Sequence, residues 1–419
     1  MAPPVRHRNL AVVKTLTYAM FAMFAMTTDS VGVIIPEVIR TFRLSLTAAG
    51  SFQYSTMGGI AVAALLLGQL ADRFGRRRTI IAGLMLFAAS CFLITTADSF
   101  VFFAVLLGLS GIAIGVFKTG ALALIGDLSS STTEHTSIMN MLEGFFGIGA
   151  VVGPAVLARL LAAGLPWTRL YLLAGAMCVI LIAIAALVQY PETARSTAPG
   201  GVRGTVAAVK NPYVLAFSTA AFLYVGVEAA VYVWMPTLLG GYSGHAAELA
   251  AYAVSVFFLL RAAGRFLGAW LLNMFRWQAV LALFSGSILL CFVVAVMGGV
   301  QWAVYALPLS GLFMSVIYPT INSKGISCLP KVEHGAGAGV ILFFTCVSAV
   351  LAPLAIGAVS DAFGQIAYGF WLATGFAALL FAGLLLNWIV NPTRAVLERL
   401  DLTEYQQATL TSATPGSPN

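Results

Sequence analysis

The chain has 419 residues, of which 60% are hydrophobic and only 9% are charged. Soluble domains carry charge on about a quarter of their residues, so this composition excludes a soluble globular protein. The 22 basic and 15 acidic residues give a net charge of +7. What this net charge implies about topology or partners depends on where the charged residues lie along the chain.

Runs of about 20 apolar residues are long enough to cross a bilayer as helices. Twelve such runs occur, at 11–36, 47–71, 79–97, 100–127, 136–163, 168–190, 212–239, 246–273, 277–299, 302–326, 336–360 and 366–391. The first run is too long for a signal peptide and contains Asp29, so we expect it to remain in the protein. The sequence therefore predicts an all-α integral membrane protein with twelve transmembrane helices.

Basic residues are biased to one side of the predicted membrane. With both termini inside, the cytoplasmic segments contain Arg6, Arg8, Arg73, Arg76, Arg77, Arg78, Arg195, Arg203, Lys210, Arg276, Lys331, Arg394 and Arg399. The opposite side contains only Arg40, Arg43, Arg159 and Arg169. By the positive-inside rule this predicts a multi-pass protein of the cytoplasmic (inner) membrane with cytoplasmic termini. The basic charge is thus a topology signal and gives no support for nucleic-acid binding.

The segment 68–78 joins the second and third runs and reads GQLADRFGRRR. In lipid, two helices joined this tightly form a hairpin, and Gly68 and Gly75 allow a sharp turn. Asp72 is the single anion among four cations, Arg73, Arg76, Arg77 and Arg78.

This ordered pattern resembles the signature between helices 2 and 3 of the major facilitator superfamily, a large family of secondary transporters. The resemblance implies two six-helix bundles around a midplane cavity that opens alternately to either side of the membrane. It also implies that the segment 68–78, and Asp72 in particular, acts at the cytoplasmic gate.

The two halves of the chain repeat each other at an offset near 200 residues. Pro36 and Pro236 are expected to end helices 1 and 7, and each follows an acidic residue, Asp29 or Glu228, by seven or eight positions. The basic segment recurs in degenerate form at 268–276, with Leu272 in place of the aspartate. An internal duplication is typical of transporters. It predicts an amino-terminal bundle at 1–190, a cytoplasmic linker at 191–211, a carboxy-terminal bundle at 212–399 and a disordered tail at 400–419.

Three ionisable residues stand out in the interior of the predicted spans of the amino-terminal half, Asp29, Lys118 and Glu143. Such a residue costs roughly 2.5–3.5 kcal/mol at mid-bilayer, so each is a functional hypothesis. Asp29 is a candidate for proton carriage or substrate contact. Lys118 is expected to pair with Asp29 or Glu143, as a fixed ion pair or as a partner that an anionic substrate displaces. Glu143 shares one helix face with small residues that favour close packing.

The carboxy-terminal half adds Glu228, with Tyr224 and Tyr232 one helical turn away on either side. Aromatic rings beside a carboxylate suit a sugar, whose C–H face stacks while its hydroxyls donate hydrogen bonds, although such a stripe also suits ordinary packing. Arg261 is expected to pair with Glu228. Arg265 is expected to reach the cytoplasmic interface and to be structural.

Three segments resemble the fucose–galactose–hexuronide proton symporter branch of the family. They are FGIGA at 146–150, FLYVGVE at 222–228 and SGLFMSVIYPTIN at 310–322, which adds Tyr318 and Asn322 as site candidates. The resemblance implies proton-coupled uptake of a sugar or sugar acid. Helix 4 departs from the branch, because small residues around Gly115 replace the glutamate that takes up the proton there, and Lys118 lies nearby.

Other functions remain open at this stage. They are a proton-antiport exporter of a drug, metabolite or organic anion, and a membrane sensor that does not transport. We do not expect an enzyme, a metal site or a disulfide, because no catalytic set or cysteine pair is evident and the four histidines (His7, His135, His245 and His334) lie in predicted loops or tails. We expect a monomer without a cofactor, driven by the proton gradient.

Overall fold

The computed structural model describes residues 5–43, 46–67, 70–96, 98–191, 202–240 and 242–406. Gly68 of the basic segment, most of the predicted linker (192–201) and the end of the tail (407–419) lie outside the described residues. Regular structure within the described ranges is entirely helical.

Six helices form the amino-terminal half. They are α1 in two segments (Val5–Thr28 and Val31–Phe42), α2 (Leu46–Leu67), α3 (Arg76–Ile94), α4 (Phe100–Leu128), α5 (Thr132–Ala162) and α6 (Thr168–Leu187). One helical turn, Leu70–Phe74, lies between α2 and α3. The starts of α4 and α5 are capped by Ser99 and Ser131, whose hydroxyls accept hydrogen bonds from backbone N–H groups three residues later.

The carboxy-terminal half repeats this order. It contains α7 (Pro212–Ala229, continued by Ala230–Trp234 and Met235–Leu239), α8 (Ala247–Met274), α9 (Trp277–Gly298), α10 in two segments (Val300–Met314 and Ile317–Ser327), α11 (His334–Phe363), α12 (Ile366–Val390) and the short α13 (Arg394–Leu400). A short helix, Val202–Lys210, occupies the end of the predicted linker.

The twelve predicted spans are confirmed as twelve transmembrane helices in two six-helix bundles. Eleven helical stretches of the described chain are long and apolar enough to cross a membrane, and α2 contributes a shorter one, Tyr54–Leu67. The expectation that Pro36 and Pro236 end their helices was wrong, because those helices continue to Phe42 and Leu239. Pro236 lies in the first turn of its segment, where a missing N–H costs no intrahelical bond. The domain boundaries stay a prediction.

Aromatic side chains pack within each bundle. In the amino-terminal half, Phe24 of α1 packs edge-on against Phe87 of α3 at 4.6 Å between ring centroids, and at a tilt against Phe117 of α4 at 4.5 Å. In the carboxy-terminal half, Phe292 of α9 lies 6.4 Å from Phe370 of α12. The halves meet chiefly where α2 and α4 pack on α11, and where α5 packs on α8 and α10. The buried apolar residues of the two halves form one continuous cluster.

Three of the helices that line the centre are interrupted. α1 breaks at Asp29 and Ser30, α10 breaks at Ser315 and Val316, and α7 passes through a π-helical segment at Ala230–Trp234. Such interruptions free backbone groups at membrane depth and mark binding sites in transporters. The break in α1 contains Asp29, one of the residues that the sequence analysis singled out.

Close packing of α1 and α5 depends on glycine. A Cβ added at Gly149 would lie 2.0 Å from the carbonyl oxygen of Ala22. We expect Gly149→Ala to push the two helices apart and to destabilise the protein by about 1–3 kcal/mol, the usual cost of overpacking. Thermal unfolding of the detergent-purified variant measures this as a lower Tm.

The matched control is Gly375→Ala on α12, where an added Cβ has no neighbour within 4 Å. This substitution should leave the Tm unchanged or raise it, because alanine favours a helix over glycine by about 1 kcal/mol. Equal Tm values for the two variants would contradict the close packing of α1 on α5.

Candidate functional site

Glu228 on α7 is the centre of a polar cluster in the carboxy-terminal half. Its Oε1 accepts hydrogen bonds from Arg261 Nη1 of α8 and, at 2.8 Å, from the Tyr224 hydroxyl. The same hydroxyl lies 3.1 Å from the carbonyl oxygen of Met314, beside the break in α10. The predicted pair of Arg261 and Glu228 is confirmed. Glu228 and Arg261 thus give each other the partner that a buried charge needs at this depth.

The aromatic residues of this cluster have different roles. Tyr224 is 1% exposed and stacks on Tyr318 of α10 at 5.9 Å between centroids, so its ring is part of the packing. Tyr232 is only half-buried and packs on Phe258, whose ring also lies 5.2 Å from the Arg261 guanidinium. Of the two tyrosines that flank Glu228, Tyr232 is therefore the one available to a ligand.

Asp29 lies at the break in α1 and is half-buried. Its Oδ2 accepts a hydrogen bond of 2.9 Å from the Thr28 hydroxyl. No ion pair within 4.0 Å reaches Asp29 from the described residues, although the charges of Arg261 and Lys118 act on its carboxylate from a longer distance. Asp29 is thus a carboxylate at mid-membrane that faces cations without being neutralised by direct contact.

Lys118 on α4 is not paired with either acid, which corrects the expectation from the sequence. Its ammonium lies 4.7 Å from the ring centroid of Phe146 and 5.9 Å from that of Phe21. Within the described chain it forms no hydrogen bond or ion pair. Cation–π contacts of this kind contribute about 0.5–2 kcal/mol, which is less than a buried ion pair would supply.

Glu143 has a different partner, Arg265 of α8 in the opposite half. The Glu143 carboxylate lies 3.4 Å from Arg265 Nη2, and Arg265 Nη1 donates to the Glu143 backbone carbonyl at 2.8 Å. Arg265 is 3% exposed, so the expectation that it extends to the interface was wrong. This ion pair joins the two halves at depth and leaves Lys118 free.

Asn322 on α10 completes the set of predicted site residues. It is 2% exposed, and its amide oxygen has no hydrogen-bond partner among the described residues. Buried acceptors in native structures usually have a partner, so this oxygen is a position where a hydrogen-bond donor can bind. The centre of the molecule thus offers an uncompensated acid, an uncompensated base and an aromatic ring, a set suited to a polar solute with hydroxyl groups.

The segment 68–78 lies at one end of the bundle, here called the hinge end. There the Asp72 carboxylate accepts hydrogen bonds from the backbone N–H groups of Gly335 and Ala336, both at 3.0 Å, at the start of α11. Arg76 pairs with Asp72 and donates to Asp127 at 3.1 Å. The acid therefore joins the halves, as a gating role requires.

The other residues of the predicted gating motif have simpler roles. Gly75 has φ of 89°, which a side chain would strain. Arg73 and Arg77 are exposed: Arg73 lies over the ring of Phe74, and Arg77 donates to the Ala186 carbonyl within the same half. Of Arg73, Arg76 and Arg77, only Arg76 contacts the other half among the described residues, through the Lys331 carbonyl oxygen.

A ladder of polar residues between α5 and α10 was missed by the sequence analysis. His135 Nδ1 lies 2.6 Å from the hydroxyl of Ser323, and Thr136 lies 2.9 Å from the same hydroxyl. Lys324, which is 2% exposed, donates to the Thr132 carbonyl at 2.9 Å. The rule that singled out Lys118 would also have found Lys324, because it lies within the run 302–326.

Histidine positions also need correction. His135 and His334 were expected in loops, but they begin α5 and α11 and are fully buried, with ring centroids 5.9 Å apart. The imidazole of His334 packs directly on Gly126 of α4, where a Cβ would lie 2.2 Å from Nδ1.

The chain end forms a further contact between the halves. Asp401 accepts hydrogen bonds from the Thr132 backbone N–H at 2.8 Å and from its hydroxyl at 3.0 Å, and so caps the start of α5. Glu404 lies 3.4 Å from the backbone N–H of Lys331. Residues Asp401–Gln406 form a helical turn, so the prediction of a disordered tail from residue 400 was wrong for this part. We call Asp401–Gln406 the terminal latch.

The comparisons with known proteins agree with this architecture. The sequence model of the Major Facilitator Superfamily matches residues 17–353. The chain belongs to the Major Facilitator Superfamily. It is 26% identical over 375 residues to a glucose/galactose transporter of Brucella abortus, covering 85% of this chain and 90% of that protein.

Other members of the superfamily are similar over comparable lengths. The L-fucose-proton symporter of Escherichia coli is 23% identical over 398 residues, covering 86% of this chain and 89% of the symporter. The crystal structure of FucP in the outward conformation has a TM-score of 0.76 at 19% identity, over 90% of this chain and 98% of FucP. The proton:xylose symporter XylE has a TM-score of 0.70 at 12% identity, over 92% and 96%. These structures establish the fold.

The next prediction concerns the gate at the segment 68–78. Asp72→Asn places an amide donor against a backbone N–H donor, so one buried backbone donor loses its acceptor. An unsatisfied buried donor costs about 1–3 kcal/mol, so the open population should rise about fivefold or more. Cys328, buried at the hinge end, should then be alkylated faster, and transport should fall while expression is kept.

The same residue predicts a pH response. Burial raises the pKa of Asp72 to about 6, although Arg76 and the backbone donors oppose the shift. Opening returns water to the carboxyl and lowers its pKa, so the closed state binds the proton more tightly. This contribution to closure is fully present below the open-state pKa and is lost as pH rises through about 6.

Cys328 alkylation should therefore slow when the hinge side is acidified from about pH 7 to about pH 5, after correction for thiolate content. A protonated carboxyl still has acceptor lone pairs on both oxygens. The amide of Asp72→Asn does not titrate, and it has one acceptor oxygen in place of two. That variant should lose the pH response. Asp98→Asn, a change of an exposed acid, should behave like the parent, and an unchanged response in Asp72→Asn would contradict the assignment.

A further prediction compares two charges at the centre. Glu228→Gln leaves Arg261 buried without its anion and should cost about 3–5 kcal/mol of stability. Lys118→Met removes an unpaired charge from between two phenylalanine rings, so it should leave the Tm unchanged or raise it. If both variants lose stability equally in thermal unfolding, Lys118 has an anionic partner in the dominant state.

Proposed function

We propose that this chain is a secondary active transporter that moves a sugar or sugar acid across the cytoplasmic membrane by alternating access, with proton symport. The observation that carries the proposal is the carboxylate of Asp29. It lies half-buried at the break in α1 without an ion-pair partner in the described chain. A carboxyl in this position can carry a proton at little cost, because no ion pair must break first.

The wall opposite Asp29 supports a sugar as the solute. Tyr232 presents an aromatic ring, and Glu228 and Arg261 hold hydrogen-bonding groups in fixed positions through their mutual contact. Aromatic faces and rigid polar groups are the usual means of binding a hydroxylated ring. The similar proteins named as a glucose/galactose transporter and an L-fucose-proton symporter favour the same substrate class.

Lys118 favours an acidic variant of this substrate class. Its ammonium is paired with no described residue, and a carboxylate on the solute would give it a partner. The same observation favours a second candidate function, export of an organic anion by proton antiport. Direction of transport separates the two candidates.

The membrane orientation is part of the proposal. The hinge end carries the exposed arginines of the segment 68–78 and should face the cytoplasm by the positive-inside rule, together with both chain termini. The contacts of Asp72 and Asp401 close that end. A solute would then enter from the opposite side.

The test uses purified protein in proteoliposomes with an imposed pH gradient. We expect saturable uptake of radiolabelled galactose, glucose, fucose or galacturonate that follows the gradient and collapses with a protonophore. Uptake that follows a sodium gradient and ignores the protonophore would contradict proton coupling. Solute that moves only in the direction opposite to the proton flow would favour export.

Asp29→Asn tests the coupling role directly. The variant keeps the shape and the Thr28 contact but cannot titrate, so proton-driven accumulation should be lost while exchange of solute at equal concentrations persists. The control is Asp361→Asn, a change of an exposed acid, which should accumulate solute normally. Normal accumulation by Asp29→Asn would assign the proton to another group.

A further inference from the structure

A cavity lies at the hinge end, apart from the central site. Its volume is about 380 Å³, within the range of small-ligand pockets. One wall belongs to the amino-terminal half, through Thr132, Thr133 and Thr136 at the start of α5. The other walls belong to the carboxy-terminal half and to the terminal latch, and include Arg276, Trp277, Lys324, Arg394, Glu398 and Asp401. A ligand here would touch both halves at once.

The charges of this cavity do not balance locally. Arg394 is paired with Glu398 at 2.7 Å. The Asp401 carboxylate accepts two hydrogen bonds from Thr132 but keeps its negative charge, which acts on Lys324 from beyond contact distance. Neither Lys324 nor Arg276 has an ion-pair partner within 4.0 Å among the described residues. Three cations against two carboxylates leave the cavity with one unmatched positive charge.

Lys324 is the more informative of these two cations. It is 2% exposed, and its ammonium donates a single hydrogen bond of 2.9 Å, to the Thr132 carbonyl oxygen. An ammonium has three donors, so its capacity is not filled by the described protein groups. The ring of Trp277 lies 5.6 Å away and forms a flat wall beside it. A buried cation with unused donors in a cavity fits a compact oxyanion.

We propose that this cavity binds a small organic anion with one phosphate or carboxylate group, held by Lys324 and Arg276, and that the bound anion clamps the hinge end closed. The chemistry suits an anion from solution and the headgroup of an anionic lipid alike. The binding step is independent of the proposed function. Inhibition of uptake from the cytoplasmic side rests on the proposed transport.

The clamp follows from the position of the cavity between the halves. Opening the hinge end separates Thr132 from Lys324 and the terminal latch, and so divides the cavity. An anion that binds only the undivided cavity stabilises the closed state by its binding free energy. The transporter would then slow as the anion accumulates on the hinge side, without competition at the central site.

The experiment measures binding of inorganic phosphate and of glucose 6-phosphate to the purified protein by calorimetry, at constant ionic strength. Arg276→Gln is the test variant, because Arg276 is exposed and its loss should leave folding intact. We expect affinity to fall about tenfold, the effect of one charge-assisted hydrogen bond. Arg399→Gln is the matched control: Arg399 is an exposed arginine of α13 that does not line the cavity, and its loss should leave affinity unchanged.

The clamp is read from Cys328, which is buried at the hinge end. Phosphate should slow its alkylation in the parent and in Arg399→Gln, and should have little effect in Arg276→Gln. Absence of saturable binding, or equal binding by all three proteins, would overturn the site. Binding that leaves the alkylation rate unchanged would overturn the clamp.

The source of the anion is assigned by repeating the alkylation in vesicles of phosphatidylcholine, with and without phosphatidylglycerol. If phosphatidylglycerol alone slows alkylation through Arg276, a lipid headgroup occupies the cavity. If only added phosphate does so, the occupant is soluble. A protein that takes up no sugar but shows the phosphate effect would sink the proposed function and keep this site, and the reverse result would do the opposite.

Discussion

The contact between the Asp72 carboxylate and the start of α11 is the interaction on which the closed hinge end depends. The first backbone N–H groups of a helix have no acceptor within that helix, so their acceptors must come from elsewhere. Asp72 supplies both bonds from the opposite half and draws Arg76 into the same contact. The α5–α10 ladder and the terminal latch add further contacts between the halves at the same end.

The other contacts at the hinge end include neutral hydrogen bonds. The pairs of His135 and Thr136 with Ser323 can exchange their partners for water when the halves separate, and such an exchange changes the free energy little. The ion pair of Glu143 with Arg265 lies deeper and is also shared between the halves. Its opening is tolerable only if water or solute reaches both charges at that moment. Opening of the hinge end is therefore coupled to the presence of water or solute at the centre.

The sequence predicted most of the fold, because in lipid only long apolar helices satisfy the backbone. It also predicted the pair of Glu228 and Arg261, since two opposite charges on adjacent central helices have few alternatives. The predicted partner of Lys118 was wrong because the rotation of each helix about its own axis decides which residues face each other. Apolar runs give no clear signal of that rotation. Arg265 was misjudged because distance from a span end does not give the depth of a side chain, whereas Lys324 was overlooked although it lies within a predicted span. The terminal latch was missed because its composition resembles that of a tail.

The terminal latch also has a consequence for how the protein is made. Asp401, which accepts from the Thr132 backbone N–H, lies 269 residues later in the chain. When the amino-terminal bundle leaves the ribosome and enters the membrane, the side chain that completes its hinge end has not yet been synthesised. The closed state is therefore a property of the finished chain, because until translation ends the start of α5 has its own cap, Ser131, but lacks the acceptor from the terminal latch.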